Sequence, residues 1–216
     1  MLLSDRTLFI DAEALVIDKP AGLPVDTPRR GGESLMSRLE ELKVGFRRPP
    51  TPMHRLDTDT SGCLLLARTV KARARFQQAF ETRQVEKYYL AVVASEIAEA
   101  EGVIDVPLGK RSTAEAGWKM VADEHGLAAT TRWTRLAVRN GSTLVQFQPL
   151  TGRTHQIRAH AREAFGRGIA GDRVYGVPGG PMLLHASRLV VPREGKATID
   201  VSAPLPDHFA EWRDAA

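Results

Sequence analysis

A chain of 216 residues, 43% hydrophobic and 26% charged, has the composition of a globular protein and is long enough to bury a substantial core, which excludes a disordered class. No stretch approaches the roughly 20 apolar residues that span a bilayer, and Asp5 and Asp11 interrupt the apolar N-terminal stretch, so neither a membrane protein nor a secretory leader is expected. The one cysteine, Cys63, excludes an internal disulfide, and a reducing, cytoplasmic location is expected.

In chain order, Leu15–Ile17 reads as a short strand stopped by Pro20, Gly22 and Pro24. Residues 34–43 have helical spacing at Leu35, Leu39 and Leu42, and Gly45–Pro52 is a rigid basic loop. It delivers the chain into "HRLDTDTSGCLLLA", His54–Ala67, where a charged turn enters an apolar run short enough to be a strand buried on both faces. Two generic readings of that turn fail. An EF-hand loop beginning at Asp57 would need a bidentate Glu at its twelfth position, which is Arg68. A DxDxT phosphatase start needs a buried strand end before the first Asp, and Pro52, Met53, His54 and Arg55 stand there instead.

Ala72, Phe76, Ala79 and Phe80 predict a helix over 70–82, with Lys71, Arg73 and Arg75 on its other face. Residues 87–93 and 142–149 read as strands, and 110–128, which lacks a clear period, as a surface hairpin or loop. "THQIRAHAREAFG" returns to helical spacing, with Ile157, Ala161, Ala164 and Phe165 as one stripe ending at Gly166. Strands and helices mix without a βαβ rhythm, which points to an α+β fold with a largely antiparallel sheet. No repeat or long linker divides the sequence, so one domain, 1–216, is expected.

The net charge of +4 is mild, but its distribution is uneven. Residues 29–87 hold 13 Lys and Arg against 7 Asp and Glu, an excess of 6 that leaves the rest of the chain slightly acidic. Such a basic region suits a phosphate backbone as well as it suits a solvated face. His155 and His160 lie five apart, about 140° around a helix, unlike the i, i+4 pair of a zinc helix, so no metal site is expected and structural histidines are the better reading. Ser61 stands in T-S-G and not in the G-x-S-x-G elbow of a serine hydrolase. Arg158 shares a helix face with His155 and Arg162, away from Ile157; it is either a surface arginine or a guanidinium aimed at a carboxylate.

Taken together, these segments resemble the RluA family of pseudouridine synthases. "HRLDTDTSG" resembles its H-R-L-D-x-x-T-S-G motif, "EKYYLAVV" its K-x-Y strand, "TGRTHQIRAHA" its T-G-R-T-H-Q-I-R helix entry, "GDRVYG" its G-D-x-x-Y-G turn, "LLHASRL" its L-H-A-x-x-L strand and "VIDKPAGLPV" its opening K-P-x-G stretch. The order is right over residues 14–205; Leu127 and Ala128 depart from a common G-K-x-A segment.

The resemblance implies a pseudouridine synthase-like α+β fold, a bent, mixed, mostly antiparallel sheet with flanking helices and a central RNA-binding cleft, and no S4 domain. It implies that Asp57 is the catalytic aspartate, that Tyr89 lies against the base and takes part in removing the C5 proton, that Arg158 pairs with Asp57, and that Leu184 packs beside the uracil. Lys87, Arg55 and Arg153 fall to RNA contacts, and His54 to the substrate-binding loop, which it helps to hold. No cofactor is implied, because the isomerisation is redox-neutral. The partner implied is a structured RNA, an rRNA or tRNA stem-loop, bound by a monomer. Two rivals stand beside this reading: an RNA-binding protein that keeps the fold without catalysis, and a hydrolase that uses Asp57.

Overall fold

The computed structural model of the chain describes residues 2–113 and 117–216. Its strands are β1 (Thr7–Ile10), β2 (Ala14–Lys19), β3 (Thr51–Pro52), β4 (Ser61–Ala67), β5 (Glu86–Val93), β6 (Glu101–Asp105), β7 (Leu108–Thr113), β8 (Gly117–Ala122), β9 (Thr130–Arg139), β10 (Ser142–Pro149), β11 (Leu184–Val191) and β12 (Ile199–Ser202). The α-helices are α1 (Val70–Glu81) and α2 (Gln156–Phe165), so the class is the expected α+β. The chain divides into two compact units, Met1–Lys87 with His185–Leu205, and Tyr88–Leu184 with Pro206–Ala216.

In the first unit the strand order is β1-β2-β4-β11, with β3 paired to β4 and β12 to β11. Every pairing there is antiparallel except β4 with β11, where Ser61 faces His185 and Gly62 faces Ala186 in parallel register. All seven residues of β4 are buried, as the unbroken apolar run predicts. Cys63, Leu65 and Ala67 pack in one core with Ala72, Phe76 and Ala79 of α1 and Leu189 of β11. Thr69 caps α1 by accepting the Ala72 amide at 3.1 Å, a contact of about 1 kcal/mol. Residues 34–43 depart from the helical expectation: Met36–Leu42 winds as a 3-10 helix. Ser34 and Ser37 bond each other's amides at 3.0 and 3.1 Å at its start, a local exchange that competes with α-helical bonding.

In the second unit β5-β10-β9-β6 form an antiparallel run, and β7 and β8 pair as a separate hairpin. Ala91, Val93, Trp133, Val145, Phe147, Ile157 and Ala161 share its core. Helix α2 is not the simple amphipathic helix its spacing suggests. Gln156 through Ala161 are all buried, polar residues included, while Ala164 of the expected apolar stripe is exposed. The polar members can be buried because each is bonded: Gln156 to Thr151, Thr130 and Thr131, and His160 to Thr131 Oγ1 and the Val106 carbonyl, both at 2.9 Å. Gly166 at φ +67° ends the helix in the left-handed conformation that glycine adopts without a Cβ clash.

Candidate active site

Asp57 lies half-buried in the turn between β3 and β4, and its carbonyl accepts the Thr60 amide at 3.1 Å. The turn is fastened from beneath by a residue that the sequence reading gave no role. Lys19, the last residue of β2, is fully buried, and its Nζ donates to the carbonyls of Pro20 and Leu23 at 2.8 Å and of Thr58 at 3.1 Å. Gly22, at φ +85°, adds a 2.9 Å bond from its amide to the same Thr58 carbonyl. One ammonium thus joins the K-P-x-G loop to the turn that carries Asp57 and Asp59.

Burial pushes the Lys19 pKa down to about 7, against the opposing pull of the Asp59, Asp57 and Asp18 carboxylates. Three carbonyl acceptors match the three N–H bonds of the protonated form. The available signal was a lysine ending an apolar strand immediately before a Pro-x-Gly turn, since a charge in such a place is retained only where it is bonded.

His54 leads into the same turn. Its Nε2 accepts the Leu65 amide at 3.0 Å and its ring lies 5.1 Å from that of Phe80. Burial, with the charge of Lys87 added, lowers its pKa to about 3, so the ring is neutral and able to accept. Arg55 is exposed and pairs with Asp26 at 2.7 Å. Lys87 is half-buried, and burial lowers its pKa. Ser61 and His185 bond each other at 2.9 Å, both fully enclosed, a structural pair and not a nucleophile with its base. Burial likewise pushes the Cys63 thiol up to about 12.

In the second unit, Tyr89 is half-buried on β5 opposite Phe147 of β10 and packs on that unit's core. Leu184 is buried in the same core. Arg153 donates from Nε to the Ala128 carbonyl at 3.0 Å, a main-chain bond that the departure from G-K-x-A at this position does not disturb.

Arg158 is not a surface residue. It is 8% exposed and grips Asp172 with two bonds, Nε to Oδ2 at 2.7 Å and a terminal nitrogen to Oδ1 at 2.9 Å, while its guanidinium lies 5.0 Å from the centre of the Tyr175 ring. Burial would raise the Asp172 pKa, but Arg158 and the amides of Val174 and Tyr175 outweigh it and hold the carboxyl below its usual range. Tyr175 hydroxyl accepts the Met120 amide at 2.8 Å and bonds His155 Nδ1 at 2.9 Å. Asp172 and Tyr175 are the second and fifth residues of "GDRVYG"; the motif was visible in the sequence, but its task of clamping Arg158 was not.

Several comparisons bear on this arrangement. The family model described as RNA pseudouridylate synthase matches residues 13–163. An uncharacterised RNA pseudouridine synthase of Zymomonas mobilis is 48% identical over 214 residues, 97% of this chain and 98% of its own length. The dual-specificity RNA pseudouridine synthase RluA of Yersinia pestis is 34% identical over 85% of this chain and 90% of its own length. Among solved structures, human RNA pseudouridylate synthase domain containing 4 superposes with a TM-score of 0.79 at 28% identity, covering 96% of this chain and 91% of that one.

Proposed function

Since the chain belongs to the RNA pseudouridylate synthase family, in its RluA-type branch, we propose that Asp57 is the catalytic aspartate of its uridine-to-pseudouridine isomerisation. The substrate is a specific uridine of structured RNA, in an rRNA or tRNA stem-loop, and the enzyme acts as a monomer in the cytoplasm. No helix among the described residues is long and apolar enough to cross a membrane.

A uridine stacked in RNA must first be turned out of the stack, at a cost of a few kcal/mol offset by phosphate and stacking contacts. Its N1–C1′ bond then breaks, the uracil rotates, a C5–C1′ bond forms, and the C5 proton leaves while N1 gains one. Atoms and electrons balance, so no cofactor is required. Asp57 attacks or stabilises the sugar or base during this exchange. Tyr89 lies against the base and assists removal of the C5 proton, Leu184 packs beside the uracil, and Arg158 supplies the cation that the carboxylate needs. Arg55, Lys87 and Arg153 hold RNA, and His54 holds the loop.

The observation that carries this reading is the construction beneath Asp57. A fully buried lysine is spent on three main-chain carbonyls, one of them in the Asp57 turn itself. A turn that served only to connect β3 to β4 would not require a buried charge to hold it.

Asp57→Asn tests the reading. It keeps the side-chain shape and removes the carboxylate charge. Pseudouridine formation should fall at least about a thousandfold, while the melting temperature holds and RNA binding persists or tightens through loss of a negative charge. Conversion near the wild-type rate by a folded Asp57→Asn protein would remove Asp57 from the chemistry. Wild-type protein that binds RNA and forms no pseudouridine would favour the non-catalytic reading, and release of free uracil the hydrolytic one.

A further inference from the structure

Of the three tryptophans, Trp133 and Trp212 are buried at 8% and 5% exposure, whereas Trp118 on β8 is 44% exposed. Its indole is nonetheless held in place. It stacks on the His155 ring with centroids 5.0 Å apart and planes 17° apart. His155 is fixed in turn by its bond to the Tyr175 hydroxyl, and the Met120 amide two residues from Trp118 fixes that hydroxyl. His155 holds this place at φ +52°, a left-handed conformation that costs a residue with a Cβ on the order of 1 kcal/mol.

The surroundings of the indole are cationic. The Lys110 ammonium lies 5.1 Å from the centre of the Trp118 ring, and Arg111 faces Lys119 across the hairpin. The described residues of β7 and β8 carry no carboxylate. An exposed, rigid aromatic beside a cation, on strands whose described residues carry no carboxylate, is complementary to one ligand chemistry above others, a flat base joined to a phosphate.

We propose that Trp118 is a stacking platform for a nucleobase of the RNA substrate, with Lys110 giving up its place over the indole to meet the adjoining phosphate. The proposal rests on RNA being the substrate and adds a contact outside the residues that the family resemblance names. The platform also joins the Arg158 clamp through consecutive contacts, Trp118 to His155, His155 to Tyr175 and Tyr175 to Arg158.

Tryptophan fluorescence reads the contact directly, because Trp118 is the solvent-accessible indole. Adding a non-reacting single-stranded oligoribonucleotide should quench the emission, and inorganic polyphosphate of matched charge should not. Trp118→Ala should abolish the quench and raise KM for the RNA substrate about five- to hundredfold, the span that loss of one base stack produces. Trp118→Phe, which keeps an aromatic face, should restore most of that KM. Equal quenching by polyphosphate, emission indifferent to RNA, or an unchanged KM in Trp118→Ala would each overturn the platform. Because the quench needs no turnover, it is read even from protein that forms no pseudouridine. A wild-type enzyme that isomerises uridine while Trp118→Ala matches its KM loses only the platform, not the proposed reaction.

Discussion

Two side chains change meaning once their surroundings are known. Arg158 was legible as important from "HQIR", but its pairing with Asp172 was not, because 14 residues and a turn separate them. Asp172 is wholly buried in that pair, so Arg158→Ala strands a carboxylate in the interior and should lower stability by about 3–5 kcal/mol. Chemical denaturation of Arg158→Ala, and of Arg158→Ala with Asp172→Asn, checks it. The double variant should recover part of the loss, and strictly additive losses would show that the two groups do not support each other.

His54 sets an acid limit on the fold. Its folded pKa of about 3 lies below the ordinary 6.5, so the unfolded chain takes up a proton first as pH falls. The stability that the neutral ring contributes is full above pH 6.5 and is lost toward pH 3, on the order of 1 kcal/mol per pH unit. In His54→Gln an amide oxygen accepts the Leu65 N–H without titrating, so the denaturation midpoint should vary less with pH across that window. An unchanged slope would mean that His54 takes up its proton in the fold at the same pH as in the unfolded chain.

At the scale of elements, agreement between sequence and structure follows how local each determinant is. Residues 70–82 were predicted as a helix and Val70–Glu81 forms one, because apolar spacing and the Thr69 cap are both read within a few residues. Helix α2 has the predicted position but not the predicted burial, since its polar residues meet partners on β9 and on the loop that follows β10.

Gly62 is the sharpest element-scale constraint. It lies in β4 at φ +107°, and a Cβ there would stand 2.2 Å from the Ala186 carbonyl oxygen of β11. Backbone cannot yield as a side chain can, so Gly62→Ala should destabilise by about 3 kcal/mol or more. A urea midpoint indistinguishable from wild type would mean that β4 and β11 separate at no cost.

At the scale of the whole molecule, the sequence by itself determined the class and the chemistry. Composition excluded disorder, periodicity placed α1, β4, β5 and β10, and the ordered motifs identified the family to which the chain belongs. Each of these signals is local or is a matter of order along the chain, which a sequence records directly. The tertiary structure alone decided how the turns are held. Lys19 reaches Thr58 across 39 residues and Ser61 meets His185 across 124, distances over which no periodicity carries information. It also decided the division into two units, one boundary of which falls inside β5 where no glycine or proline marks it. Burial was the last thing it settled. Lys19, Gln156, Arg158, Asp172 and His185 have the composition of surface residues and occupy the interior, because a polar group leaves water at tolerable cost only when bonded partners replace it, and those partners come from distant parts of the chain.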